Sequence, residues 1–252
     1  MDAYWAAPPI TRTLTAATVL TSVLVHTRLL NWTYVMFYLP YLFKLPPQLW
    51  RCVTSFLVTG GGLGILFDSY FLYTYGSSLE TQSSRFSNPA DYVTYLVFIW
   101  FFILTSAGFV LGGFFFVSAL TLALAYTHSQ ENRNQKVGFF FFTIPAPWLP
   151  YAMLGMTLVM AGPEAALHQG TGLLAAHLYD FLTRLYPTFG DGENFIRAPQ
   201  FVERWFNHPG PRARPYGTAF TPRTEPSRGS SSGFSGLGSW GGRGAGRRLG
   251  GD

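Results

Sequence analysis

The amino-acid sequence predicts an all-α membrane protein: a six-helix transmembrane bundle followed by a disordered C-terminal tail. Three observations carry this. Only 12% of the 252 residues are charged while 18% are aromatic, and soluble domains carry about 25% charge to stay in water. Apolar residues gather into six runs within the first 186 positions. After about His208 the composition turns to Gly, Ser, Pro and Arg, which cannot bury enough apolar surface to fold. A solvated enzyme domain, a wholly disordered chain and a coiled coil are all disfavoured. The expected division is a membrane domain at 1–207 and a tail at 208–252.

The first run, Leu14–Leu30, is weakened by four Thr and by His26. Met1–Ile10 holds no positive charge and no small-residue cleavage site follows, so the run reads as an uncleaved span rather than a signal peptide. The second run is Cys52–Tyr75. Tyr92–Tyr126 exceeds the roughly 20 residues of one span, so it holds the third and fourth. Gly108, Gly112 and Gly113 supply a hairpin between two helices that should both be short. The fifth run is Val137–Ala161 and the sixth Ala165–Tyr186. Lipid offers the backbone no water, and runs this continuous satisfy it as helices.

Charge gives an orientation. Residues 187–252 hold nine Arg and five acids, net +4; residues 1–186 hold eight Lys plus Arg and seven acids, net +1. Six spans place both termini on one side, with Arg12, Arg85, Arg133, Lys136 and the basic tail. Arg28, Lys44 and Arg51 lie in one loop on the other side. Positive charge marks the cytosolic face, so both termini are expected in the cytosol. The basic balance belongs to the tail and not to a folded nucleic-acid-binding face. Cys52 is the single cysteine, which excludes an internal disulfide and a cysteine-built zinc site. No cofactor or metal site is expected.

The loop after the first span, Asn31–Lys44, is aromatic and is followed by Pro46 and Pro47. It reads as an element lying in the membrane interface, with one long tilted first span as the other reading. Trp50 and Arg51 stand at the head of span two, where Trp50 packs in the interface and Arg51 reaches polar groups. Asp68 is an ionisable group inside an apolar span. Such a group faces a cavity or a partner, or else caps nearby backbone or is simply protonated. Asp180 and Arg184 read as a local ion pair, with His177 close enough to bond Asp180. Gly60-Gly61-Gly62-Leu63-Gly64 lacks the lysine of a phosphate loop; Gly60 and Gly64, four apart, suit close helix packing. Asn31-Trp32-Thr33 is a glycosylation sequon placed too near the membrane for use.

In order and spacing these residues resemble one family. Pro9-Ile10-Thr11-Arg12, Trp50-Arg51, Leu72-Tyr73-x-Tyr75, Leu79-Glu80-Thr81, Ala90-Asp91-Tyr92, Asn132-Arg133, Pro150, Leu154-Gly155, Gly172 to Tyr179, Pro199-Gln200-Phe201 and Arg204-Trp205 resemble the Derlins, rhomboid-like pseudoproteases of the endoplasmic reticulum. The likeness implies a rhomboid-like bundle with Gly172 and Ala176 as the small residues of span six. It also shows what a protease would need and this chain lacks. Ser118 has no flanking glycine. The position of the general base falls on Gln169, and an amide cannot take a proton. The oxyanion-holding positions fall on Gly64 and Asp68, and a carboxylate there would repel an oxyanion.

The tail is similar to the SHP box, a motif with which some Derlins dock on the valosin-containing AAA+ ATPase. Phe234-Ser235-Gly236-Leu237-Gly238 matches its first half and Arg247-Arg248-Leu249-Gly250 its second, with Ser239–Gly246 between them and Trp240 as another aromatic start. A plain Gly-Arg linker is the competing reading. The resemblance implies a non-enzymatic part in endoplasmic-reticulum-associated degradation: retrotranslocation of misfolded proteins, with a membrane ubiquitin ligase complex, the ATPase and membrane lipid as partners, and a homo- or hetero-oligomer as a further option. Nucleic acid is not an expected partner. The alternatives are an active rhomboid-type protease, against which the missing dyad counts, and a small-solute transporter, against which the lack of an internal repeat counts.

Overall fold

In the computed structural model the described residues are 5, 7–86, 88–139, 142–189 and 199–206. Helix α1 is Pro9–His26 and α2 is Leu63–Gln82. Helix α3 begins at Pro89–Ile103 and continues as a π-helical stretch, Leu104–Val110. Helix α4 is Val117–Glu131. A hairpin of β1 Lys136–Phe139 and β2 Phe142–Pro145 follows, paired antiparallel with Val137 opposite Ile144. The helical stretch Leu149–Asp180 is broken by Gly162, at φ 88°, and Pro163. Its two parts are α5, residues 149–161, and α6, residues 163–180, which runs on as a π-helix at Phe181–Leu185. Helix α7 is Gln200–Phe206.

Helix α3 with its extension, Pro89–Val110, has 22 residues and mean hydropathy 2.1, long and apolar enough to cross a membrane. Among the described residues it is the one helix that meets both conditions. The large side chains of the core are Tyr75, Tyr92, Tyr95, Ile99, Leu122 and Leu124, all essentially inaccessible.

Several boundaries differ from the sequence expectation. The second apolar run does not form one helix from Cys52. A single turn, Arg51–Thr54, is followed by irregular backbone, and α2 starts only after Gly62, whose φ of 63° suits glycine and ends any helix entering it. This irregular segment is satisfied by α1. Thr21 Oγ1 donates to the Leu57 carbonyl (2.8 Å) and the Thr59 amide donates to Ser22 Oγ (3.0 Å). His26 Nε2 lies 3.2 Å from the Thr59 carbonyl. The hydroxyls and histidine that lowered the hydropathy of the first run are thus the partners that non-helical backbone needs in a membrane.

The fifth run is also shorter than expected. Lys136–Phe139 and Phe142–Pro145 are paired strands rather than helix, and Pro145 and Pro147, which lack amide donors, hold back the start of α5. Helix α3 is not short: the apolar stretch extends outward at both ends, to Pro89 and Glu131, leaving room for a full span and the 15-residue α4. The glycine turn falls where the sequence predicts it. Gly112 has φ 70° and the Gly113 amide donates to the Ala107 carbonyl at 2.8 Å.

The free first-turn amides of α1 meet a carboxylate from the far end of α2. Ile10 N and Thr11 N donate to Glu80 at 3.0 and 2.7 Å. An acid at a helix N-terminus satisfies these donors and complements the helix dipole.

Candidate functional site

Helix α1 ends at His26, so the aromatic loop is a separate element and not a continuation of the first span. It contains a 3₁₀ turn at Trp32–Tyr34 and one helical turn at Leu39–Leu42. Asn31 Oδ1 accepts from the backbone and hydroxyl of Thr33 at 3.0 and 2.9 Å, so the sequon asparagine serves the turn.

Arg51 holds this loop. Its side chain is 3% exposed. Nη1 donates to the carbonyls of Thr33 (2.6 Å) and Met36 (2.8 Å), and Nε donates to Gln48 Oε1 (2.6 Å). The guanidinium sits 4.8 Å from the Tyr41 ring centroid, a cation–π distance. Among the described residues no carboxylate pairs with Arg51. Carbonyl dipoles and an aromatic face take that place. Trp50 is half exposed, and its indole donates to the Tyr34 carbonyl at 3.3 Å. The Thr54 hydroxyl adds a bond to Val35 (3.2 Å). The loop is then plugged into the bundle by Phe37, whose amide donates to the Phe114 carbonyl and whose ring packs between Phe109 and Phe116.

A cavity of about 560 Å³ lies between α2 and α5, with the starts of α4 and α6 at its back. It brings together residues far apart in sequence: Gly64 and Asp68 from α2, Ser118 from α4 and Gln169 from α6. These are the positions at which the resemblance places the parts of a protease site. From α6, Ala165 and Gln169 line the cavity, Gln169 at 3% exposure; His168 packs beside Gly113 instead. The α5 wall is Met153, Met156 and Met160, three of the five methionines in the chain. Thioether side chains adapt to apolar partners of varied shape. Phe139 of β1 closes one edge, stacked on Phe71 of α2 with ring centroids 5.9 Å apart. A second cavity of about 770 Å³ adjoins, and Val58, Gly60, Gly61 and Phe115 border both.

The sequence-based residues divide accordingly. Asp68 sits on the cavity wall, with the Gly60 backbone amide against its carboxylate, so the cavity and capping readings hold together. Gly60 and Gly64 do not serve close helix packing. Gly60 precedes α2, and a Cβ at either position would meet nothing within 4 Å. The close approach is at Gly172, where a Cβ would stand 1.8 Å from the Ala119 carbonyl oxygen; Ala176 one turn on is 1% exposed. Asp180 pairs with Arg85 (3.0 Å) and not with Arg184, and Arg85 also meets Glu131 (3.3 Å). His177 Nδ1 faces the Tyr126 hydroxyl (2.8 Å) rather than Asp180. Arg85 thereby ties the ends of α2, α4 and α6, a junction invisible in a single sequence because its members lie 46 to 95 positions apart. Among the described residues no three His, Cys, Asp or Glu side chains are grouped to hold a metal. Phe234, Trp240, Arg247, Arg248, Leu249 and Gly250 lie outside the described residues.

The described residues define a mostly helical protein with one helix long and apolar enough to cross a membrane and a cavity between α2 and α5. Comparison with known families narrows this. Residues 7–200 match the Der1-like family, and the chain belongs to it. It is 34% identical to human Derlin-1 over 209 residues, 81% of each chain. It is 31% identical to Derlin-1 of Drosophila melanogaster over 163 residues and 30% identical to that of Caenorhabditis elegans over 162, each covering 62% of this chain and 64% of the relative.

Proposed function

We propose that this protein is a non-catalytic component of endoplasmic-reticulum-associated degradation that admits an apolar segment of a misfolded protein between α2 and α5. In this reading residues 1–207 form a six-span rhomboid-like bundle in the endoplasmic reticulum membrane, both termini are cytosolic, and residues 208–252 recruit the motor. The observation that carries it is the cavity, walled by three methionines on one side and by Ser118, Gln169 and Asp68 on the other. An amide in the place of a base leaves the serine unactivated. Adaptable apolar walls suit segments of many sequences.

Local membrane thinning is the second part of the proposal. The 15 residues of α4 span about 22 Å and α5 about 20 Å, against about 30 Å of hydrocarbon. A bilayer adapts to short helices by thinning at modest cost. A membrane ubiquitin ligase complex and the AAA+ ATPase are the proposed partners. A peptide of residues 233–252 should bind the ATPase's N-terminal domain and lose binding with Leu249→Ala. An unmutated peptide that does not bind removes direct motor recruitment.

Filling the cavity tests the site. Gly64 borders it and its Cβ position is open, so the side chain of Gly64→Leu starts in free space at the cavity edge. Degradation of a misfolded membrane-spanning substrate should slow severalfold, with the chain itself still folded and inserted. Normal degradation kinetics in that variant would contradict the proposed entry site.

A further inference from the structure

Asp68 and Gln169 give the cavity a chemical preference. The Gln169 side chain is almost fully buried, and its Oε1 has no hydrogen-bond partner. Asp68 has the Gly60 amide against its carboxylate, and a carboxylate has about four acceptor sites to fill. Asp68 is the one charged side chain among the described residues lining the cavity. One cavity therefore holds an acidic group with spare acceptor capacity and a buried amide oxygen that lacks a donor. Among the described residues Asp68 is in no ion pair: those of the bundle are Arg85 with Glu131 and Asp180.

We propose that Asp68 and Gln169 together select apolar substrate segments that carry a lone basic residue, whose ammonium or guanidinium enters the cavity and donates to both. This rests on the entry site proposed above and names the substrate class for it. The fit is one of donors to acceptors. A lysine ammonium has three donors and no acceptor, and a guanidinium has five. Either has donors enough for both Asp68 and Gln169, and the charged bond to Asp68 is of the strong kind. The rest of the segment meets the methionines. A lone basic residue in a membrane span is costly to leave in lipid, so a segment separated from its proper partner gains most from such a site. An acidic segment meets the opposite: its carboxylate would face Asp68 with no donor between them.

The test compares three fluorescent model helices of one Leu/Ala composition with Lys, Leu or Glu at the centre. Each is titrated onto the purified full chain in mild detergent and read by anisotropy. The Lys helix should bind about tenfold tighter than the Leu helix, and the Glu helix weakest. Asp68→Asn keeps the side-chain volume and an acceptor for the Gly60 amide. It should bring the Lys helix to the affinity of the Leu helix while leaving the Leu helix unchanged, and that unchanged value doubles as the check on folding. Equal binding of the Lys and Leu helices to the unmutated chain would overturn this selectivity and leave the entry site standing. So would a Lys preference that survives in Asp68→Asn. If no helix binds the unmutated chain, or if Gly64→Leu leaves all three affinities intact, the entry site falls and the selectivity falls with it.

Discussion

Arg51→Lys should free the interfacial loop while leaving α1 to α6 in place. Lysine has no Nε donor and no planar fork, so the bond to Gln48 is lost and one compact ammonium must serve the carbonyls of both Thr33 and Met36. The stacking on Tyr41 weakens as well. Hydrogen bonds from a charged group contribute about 1.5–3 kcal/mol each, and the 3% exposure of Arg51 means water cannot replace them. A loss of about 2–4 kcal/mol in holding the loop follows. Amide hydrogen exchange reads it directly. The Val35, Met36 and Phe37 amides bond to the Trp32 and Phe114 carbonyls and should exchange at least about thirtyfold faster. Amides in the middle of α3 and α4 should be unchanged. The same variant should insert normally yet slow degradation of a misfolded membrane substrate. Unchanged exchange in the loop would reduce Arg51 to a plain interfacial anchor, the role lysine can also fill.

Gly172→Ala should cost still more. The added methyl would lie 1.8 Å from the Ala119 oxygen and 2.6 Å from the Ala119 carbon. Both are backbone atoms of α4, so no side-chain rotation relieves the clash and the two helices must separate. Overpacking costs about 1–3 kcal/mol when flexible groups absorb it, and rigid backbone places this case at about 3 kcal/mol or above. Separation would also disturb Tyr126 against His177 and Asp180 against Arg85, which join the same pair of helices and the end of α2. Thermal unfolding of the purified protein should shift down by about 6 °C or more. Gly60→Ala and Gly64→Ala, each with open space around the added methyl, should unfold close to the unmutated protein. A Gly172→Ala midpoint equal to theirs would mean that α4 and α6 do not approach so closely.

The sequence showed the broad architecture because composition and run length are read without knowing contacts. Low charge, apolar runs and the glycines at 108, 112 and 113 suffice for that. It misplaced the start of α2 and the nature of Val137–Pro145 because hydropathy measures how apolar a stretch is, not whether its backbone is helical. The unwound stretch before α2 is as apolar as a helix. What permits it to unwind is a set of hydroxyls on α1, over thirty positions earlier. The candidate site was legible only as positions. Gly64, Asp68, Ser118 and Gln169 were each singled out by resemblance, and the fold lines one cavity with all four. The role of Arg85 was not legible, since an arginine in a short loop gives no sign of the two acids it will meet. The sequence pairs Asp180 with its neighbour Arg184, because local spacing is the only geometry a single sequence offers.

A substrate's apolar segment that enters between α2 and α5 passes within reach of α5, and photo-crosslinking from that helix detects it there. A photoreactive residue at Met156, on the cavity wall, is compared with one at Val159, which is 86% exposed on the outer surface of the same helix. A misfolded membrane-spanning substrate should crosslink strongly from Met156 and weakly from Val159, and the Met156 adduct should disappear when Gly64→Leu fills the cavity. Crosslinking that is equal from the two positions, or stronger from Val159, would contradict entry through this cavity.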